Sequence, residues 1–204
     1  MNPFGILPTL ISTDRLCNLI RYSEMVKDLE GDIAEFGVFQ GGSLEILAKF
    51  NLHKTVWGID SFEGLPISCE KDNFHKQGDF SETSYENLKG YFGIQHRNVN
   101  LLQGFSPDIF NVIHPHKKFC FVHVDVDLYQ SVKDALDFFY PRMVTGGVII
   151  LDDYGFESTQ GAKIAIDEFK KYLNEENIKG NIFSKAGELF YYGNYSHKQY
   201  LIIK

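Results

Sequence analysis

Two acidic pairs stand at the ends of apolar runs. The stretch "FCFVHVDVDLYQS" (119–131) carries Asp125 and Asp127, and "GGVIILDDYG" carries Asp152 and Asp153. An unpaired charge is costly to bury, so acids placed this way need a partner or a function. If neighbouring parallel strands bring the two ends together, three or four carboxylates share one patch. They repel one another unless a cation or protons neutralise them. An all-oxygen donor set suits magnesium or a similar hard cation better than zinc. Such an ion can hold a substrate hydroxyl and lower its pKa, while a neighbouring carboxylate takes the proton. The plainer alternative is a set of surface acids that cap the helices following them.

A second group lies earlier in the chain. In "AEFGVFQGGS", Gly37, Gly41 and Gly42 fall where a strand gives way to a helix. Glycine there lets the backbone approach a ligand closely, and the helix N-terminus adds free N–H groups. The spacing departs from G-x-G-x-x-G, which argues against a standard dinucleotide site. Glu35 stands beside this turn, where an acid can meet a cation. Asp60 ends the next strand, 18 residues beyond Gly42, where an acid commonly hydrogen-bonds ribose hydroxyls. No P-loop with its lysine is present. Glu35 and the negative overall field suit a sulfonium cofactor better than a polyphosphate.

The elements that must position these residues follow from periodicity. "STDRLCNLIRYSEMVKDLEG" has capping residues and helical apolar spacing. Strands are then expected in "DIAEFGVF", "TVWGID", "NVNLLQG", "KFCFVHVDV" and "GGVIILDD", with helices in "GGSLEILAKF", "SETSYENLKGYFG", "SVKDALDFFYPRM" and "TQGAKIAIDEFKKYLNEE". "SPDIFNVI" is expected as a short helix. Alternating strands and helices predict a parallel α/β sheet with helices on both faces. Ligands bind at the carboxyl ends of such strands. The tail adds three β-like pieces, "NIFSKA", "ELFYYG" and "QYLIIK", as an antiparallel edge. Residues 61–80 form a long polar loop of the kind that is usually functional.

The 204 residues suffice for one domain with a full core. The formal charge is −7 and no basic run occurs, so neither nucleic acid nor an anionic membrane is an expected partner. No apolar run reaches the length of a membrane span, and the N-terminus lacks the marks of a signal peptide. Cys17, Cys69 and Cys120 share no metal spacing and are odd in number, which fits free thiols in the cytoplasm.

Together the stretches "GDIAEFGVFQGGS", "GIDSFEGLP", "GDF", "VDVDLYQSVKDAL", "YPRMVTGGVIILDDY" and "GAKIAIDEF" resemble the class I S-adenosylmethionine (SAM) methyltransferases. More narrowly they are similar to the macrocin O-methyltransferase family, over about residues 31–170. The resemblance implies a Rossmann-like, mostly parallel seven-stranded sheet with helices on both faces and an antiparallel C-terminal edge. It implies magnesium-dependent transfer from SAM to a hydroxyl, of a sugar, glycan or glycosylated natural product, and allows a homo-oligomer. Carried over, the metal ligands are Asp125, Asp152 and Asp153, with Asp125 also the base. The cofactor residues are Glu35, Gly37, Gly41, Gly42, Ser43, Asp60, Ser61 and Asp125, with Gln103 and Gly104 near the adenine. Residues 1–30 would help to form the substrate pocket, in a region shorter than in the macrolide enzymes. Val126 stands where the family has a small residue. Leu128 stands where catechol-type enzymes place a lysine base, so a base of that kind is not supported.

Several residues keep two readings. His123 shares a strand face with Asp125 and could assist the base or be a satisfied core histidine. His75 could reach the site from the loop, or be solvated as His96 could. Tyr129 and Tyr154 could line the acceptor pocket or simply pack. Asp127 is expected where the chain turns, capping the next helix. Two rival functions remain: a glycosyltransferase using Asp125-Val126-Asp127 as a D-x-D motif, and a non-catalytic nucleoside- or sugar-binding protein.

Overall fold

The computed structural model describes residues 6–178, 185–186 and 199–204. "ELFYYG" lies outside the described residues, and of "NIFSKA" only Lys185 and Ala186 fall inside them. The chain alternates as expected: α1 (Thr13–Met25), β1 (Asp32–Phe36), α2 (Gly42–Phe50), β2 (Val56–Asp60), α3 (Tyr85–Gln95), β3 (Val99–Gln103), β4 (Phe119–Val124), α4 (Tyr129–Phe139), β5 (Met143–Leu151) and α5 (Gln160–Ile178). The antiparallel edge consists of β6 (Lys185–Ala186) and β7 (Tyr200–Ile203). The strand order is β3-β2-β1-β4-β5-β7-β6. Six strands have four residues or more, and the seventh, β6, has two. The first five pair in parallel, and β7 runs antiparallel between β5 and β6.

The side-chain alternation of the strands divides the core. Ala34, Ile149 and Leu151 pack with Val132, Leu136 and Phe139 of α4 and with Ile166 of α5. Ile33, Val148 and Ile150 pack with Leu16 and Leu19 of α1, with Leu44 and Leu47 of α2, and with Phe92 of α3. The central strands are therefore covered on both faces, as apolar parallel strands require. Several boundaries differ from expectation: β1 ends at Phe36, α3 starts at Tyr85 and β4 ends at Val124. Helix α4 starts at Tyr129, two residues before Ser131, and β5 starts at Met143 rather than at the glycines. Gly147 sits inside the strand because a Cβ there would lie 2.9 Å from the Val144 carbonyl. Among the described residues, no helix is long and apolar enough to cross a membrane.

Candidate active site

All five parallel strands release their chain toward one cleft of about 280 Å³. The β1–α2 turn supplies Gly37, Gly42 and Ser43 to its wall, β2 supplies Asp60 and Ser61, and the end of β3 supplies Gly104. Gly37 is indispensable to this packing. Its φ is 98°, and a Cβ there would lie 1.8 Å from the Asp125 carbonyl oxygen. Gly41 adopts φ 89° at the start of α2 and lies behind the wall rather than in it.

Asp60 staples two turns together. Its Oδ2 accepts the N–H groups of Val38 (2.7 Å) and Phe39 (2.9 Å), and its Oδ1 accepts that of Phe62 (2.8 Å). The carboxylate still faces the cleft and retains lone pairs for a ligand hydroxyl. Ser61 donates to the Gly64 carbonyl (2.7 Å) and accepts from the Glu63 N–H (3.1 Å), which fixes the start of the long loop. Gly104 donates its N–H to the Asp60 carbonyl (2.9 Å). Gln103 is exposed and does not line the cleft; its amide reaches the Ser61 carbonyl at 3.4 Å.

The other wall carries the acids. Asp125, Asp127 and Asp153 line the cleft; Asp152 lies just beneath it, fully buried. Asp153 Oδ2 accepts the N–H groups of Val126 (3.1 Å) and Asp127 (2.9 Å), so β5 shapes the turn that leaves β4. Burial pushes the Asp153 carboxyl well above the usual range, and repulsion from Asp127 and Asp125 adds to it. Asp127 is pushed up to about 8, mainly by burial and then by Asp125 and Asp79. Its backbone turns to φ 58°, ending the strand parity it would share with Asp125. It does not cap α4. That role passes to Asp72 of the loop, whose Oδ1 accepts the Tyr129 N–H at 2.9 Å.

Asp152 has partners that the sequence did not announce. Its carboxylate accepts from the guanidinium of Arg15 in α1 and from the side-chain amide of Gln199, which in turn accepts from Asn18 at 2.8 Å. Arg15, Asn18 and Tyr22 lie on the buried face of α1, and that polar intrusion on an otherwise apolar stripe was the available signal. Glu35 is fully buried and turned away from the cleft. Its Oε1 meets His123 Nδ1 at 2.8 Å, and burial holds its carboxyl above the ordinary range against the lowering effect of His123.

The loop after β2 folds over the opening. Its neck is closed by Leu65 N–H to the Asp79 carbonyl (2.8 Å) and Gly78 N–H to the Leu65 carbonyl (2.9 Å). His75 lines the cleft, with Nδ1 3.6 Å from Asp79 and Nε2 3.6 Å from Asp127. Phe80 packs edge-on against Phe39 at 5.8 Å. Phe39, Phe80 and Asp127, three cleft residues, hold positive φ values of 49°, 63° and 58°. Such strain is retained at functional sites where the surroundings enforce it. Far from its neck the loop is clasped by Asp72, which occupies the space over Gly161; a Cβ there would lie 1.8 Å from Asp72 Oδ1. Tyr129 and Tyr154 do not line the cleft: their hydroxyls donate to Glu168 and Asp167, both at 2.7 Å. His96 is buried beside Glu45, away from the site.

A parallel sheet in this order, with a glycine turn at β1 and acids at β2, β4 and β5, defines a class I methyltransferase. A family model described as Macrocin-O-methyltransferase (TylF) matches residues 4–187, and the chain belongs to that family. It is 30% identical over 175 residues to an 8-demethyl-8-(2,3-dimethoxy-alpha-L-rhamnosyl)-tetracenomycin-C 4'-O-methyltransferase of Streptomyces olivaceus, covering 78% of this chain and 67% of the relative. It is 31% identical over 166 residues to a mycinamicin III 3''-O-methyltransferase of Micromonospora griseorubida, covering 72% and 65%. Among solved structures, the O-methyltransferase NovP superposes with TM-score 0.74 at 24% identity, over 96% of this chain and 81% of that one. The calicheamicin methyltransferase CalS11 superposes with TM-score 0.73 at 21% identity, over 93% and 78%. The protein is a SAM-dependent O-methyltransferase.

Proposed function

We propose that this enzyme moves the methyl group of SAM to a hydroxyl of a sugar, free or within a glycan or glycosylated natural product, with the help of magnesium or a similar divalent cation. The observation that carries the reading is the facing of two walls across one cleft: the glycine turn with Asp60 on one side, and the strand-end acids on the other. Relatives with rhamnosyl-tetracenomycin and mycinamicin names support a glycosidic acceptor.

The residues fit both groups. The bare backbone at Gly37 and Gly42, the N-terminus of α2 and the Asp60 carboxylate offer a cradle for the cofactor's amino-acid and ribose parts. Asp125, Asp152 and Asp153 are the proposed cation ligands. Their fit rests on charge: the mutual repulsion of Asp125, Asp127 and Asp153 is relieved by a positive ion. A divalent ion bound there supplies Lewis acidity to the acceptor hydroxyl. Asp125, half-buried at the end of β4, accepts that hydroxyl's proton as the oxygen attacks the methyl carbon and the carbon–sulfur bond breaks. The loop over the opening excludes water from the reacting atoms.

The test is a SAM-dependent methylation screen over sugars, glycosides and glycans with magnesium present. Methyl transfer that stops in excess chelator is the expected result. A melting temperature raised by UDP-sugars and untouched by SAM would instead favour a glycosyltransferase.

A further inference from the structure

His123 lies in β4 two residues before Asp125, and no solvent reaches it. Its Nδ1 stands 2.8 Å from Glu35 Oε1. In the tautomer that donates Nδ1–H to that carboxylate, Nε2 carries a lone pair. Nε2 has no hydrogen-bond partner among the described residues, and it points at Asp152 Oδ1, 3.5 Å away. A buried lone pair facing a carboxylate oxygen with nothing positive between them is unfavourable. His123, Asp125 and Asp152 each place one ligand-type atom within 4.8 Å of the others. The carboxylate–histidine arrangement behind them is the one that fixes the tautomer of metal-binding histidines.

We propose that His123 adds a nitrogen ligand to the carboxylates proposed for the catalytic cation, which makes the site a mixed nitrogen–oxygen one with His123, Asp125 and Asp152 at its centre. This rests on the cation-dependent reading above and deepens it. Imidazole suits borderline first-row ions such as cobalt or nickel, whereas magnesium prefers oxygen and keeps its waters. Such a site would hold a first-row ion more tightly than magnesium, which the carboxylates alone can still bind. Glu35 then serves as the support of the histidine, which explains why a family cofactor residue is turned beneath the cleft. Arg15 and Gln199 hold the Asp152 carboxylate in place, and the arginine charge keeps affinity below that of three bare carboxylates.

The experiment is pulsed electron paramagnetic resonance on the 204-residue protein loaded with Mn²⁺, with calorimetric titrations of Co²⁺ and Mg²⁺. Directly bound imidazole nitrogen modulates the manganese echo, and the wild-type spectrum decides this without any variant. The expected result is nitrogen modulation that disappears in His123→Gln. In the same variant, Co²⁺ affinity falls about tenfold or more while Mg²⁺ affinity barely moves. Bound manganese without nitrogen coupling, its affinity lowered by Asp125→Asn, overturns the histidine ligand and leaves the cation reading intact. Absence of any divalent binding to the wild type overturns both.

Discussion

The two walls of the cleft treat their carboxylates in opposite ways. On the side of the glycine turn, where the cofactor is proposed to bind, Asp60 is surrounded by backbone donors that engage both its oxygens. On the acid side, Asp125, Asp127 and Asp153 face one another, and burial with mutual repulsion raises the last two. A carboxylate satisfied by N–H groups is a structural anchor that can also greet a neutral hydroxyl. A group of carboxylates in want of positive charge is unfinished without a ligand. The same residue type thus does two jobs, and the donors around it decide which.

Substitutions can break or sharpen that contrast. The largest effect is expected at the joint between the walls. Gly37→Ala forces a Cβ into the Asp125 carbonyl and a side chain into a left-handed φ. We expect a fall in melting temperature of about 10 °C or more, or no folded protein; a value within error of wild type would show that the walls are not in contact. Asp152→Asn comes next. It leaves the buried Arg15 guanidinium without its counter-ion, a loss of about 3–5 kcal/mol in comparable pairs, so the protein melts earlier yet stays folded. Methyl transfer should vanish in the same variant, and activity that persists unaltered removes Asp152 from the cation site. Asp60→Ala orphans three part-buried N–H groups, each costing roughly 1–3 kcal/mol where water does not replace the carboxylate, and calorimetry should show weaker SAM binding. Unchanged affinity would confine Asp60 to its stapling role. The smallest effect has the opposite sign. Asp127→Asn replaces a carboxyl whose rise from 3.8 to about 8 keeps it mostly neutral in the fold at neutral pH. The cost of that rise grows with pH from 3.8 and is complete above about 8, where the acid carries its charge, so scanning calorimetry should record a melting temperature higher by about 2–4 °C there. A lower value would mean that these acids are already compensated.

The fold was legible because its signals are local. Apolar runs and helical periods repeat along the chain, and each strand end carries a glycine or an acid that falls on the cleft side of the sheet. The site was legible where one residue's position on a strand determined its direction, as for Asp60, Asp125 and Asp153. It was not legible where partners come from afar. Arg15 reaches Asp152 across 137 positions and Asp72 reaches Tyr129 across 57, and no periodicity encodes such pairs. Tyr129 and Tyr154 show the limit from the other side. Both follow the acids closely in sequence, yet the turn at Asp127 and the hydroxyl bonds to α5 carry them away from the cleft. Glu35 was placed correctly on its strand, but its direction depended on a histidine 88 positions later.

The clasp between Asp72 and α4 has a consequence for how the loop can be watched. The Tyr129 amide is the donor in that clasp, so its hydrogen is shielded while the loop is fastened and free to exchange when it lets go. The amide of Asp125, just past the end of β4 and bonded to the Phe36 carbonyl, exchanges only with larger openings. The Asp125 amide marks the scale of the larger openings, and the Tyr129 rate, set against the intrinsic rate of an unprotected amide, reads out the loop's opening equilibrium. It does so without a label, an acceptor or turnover.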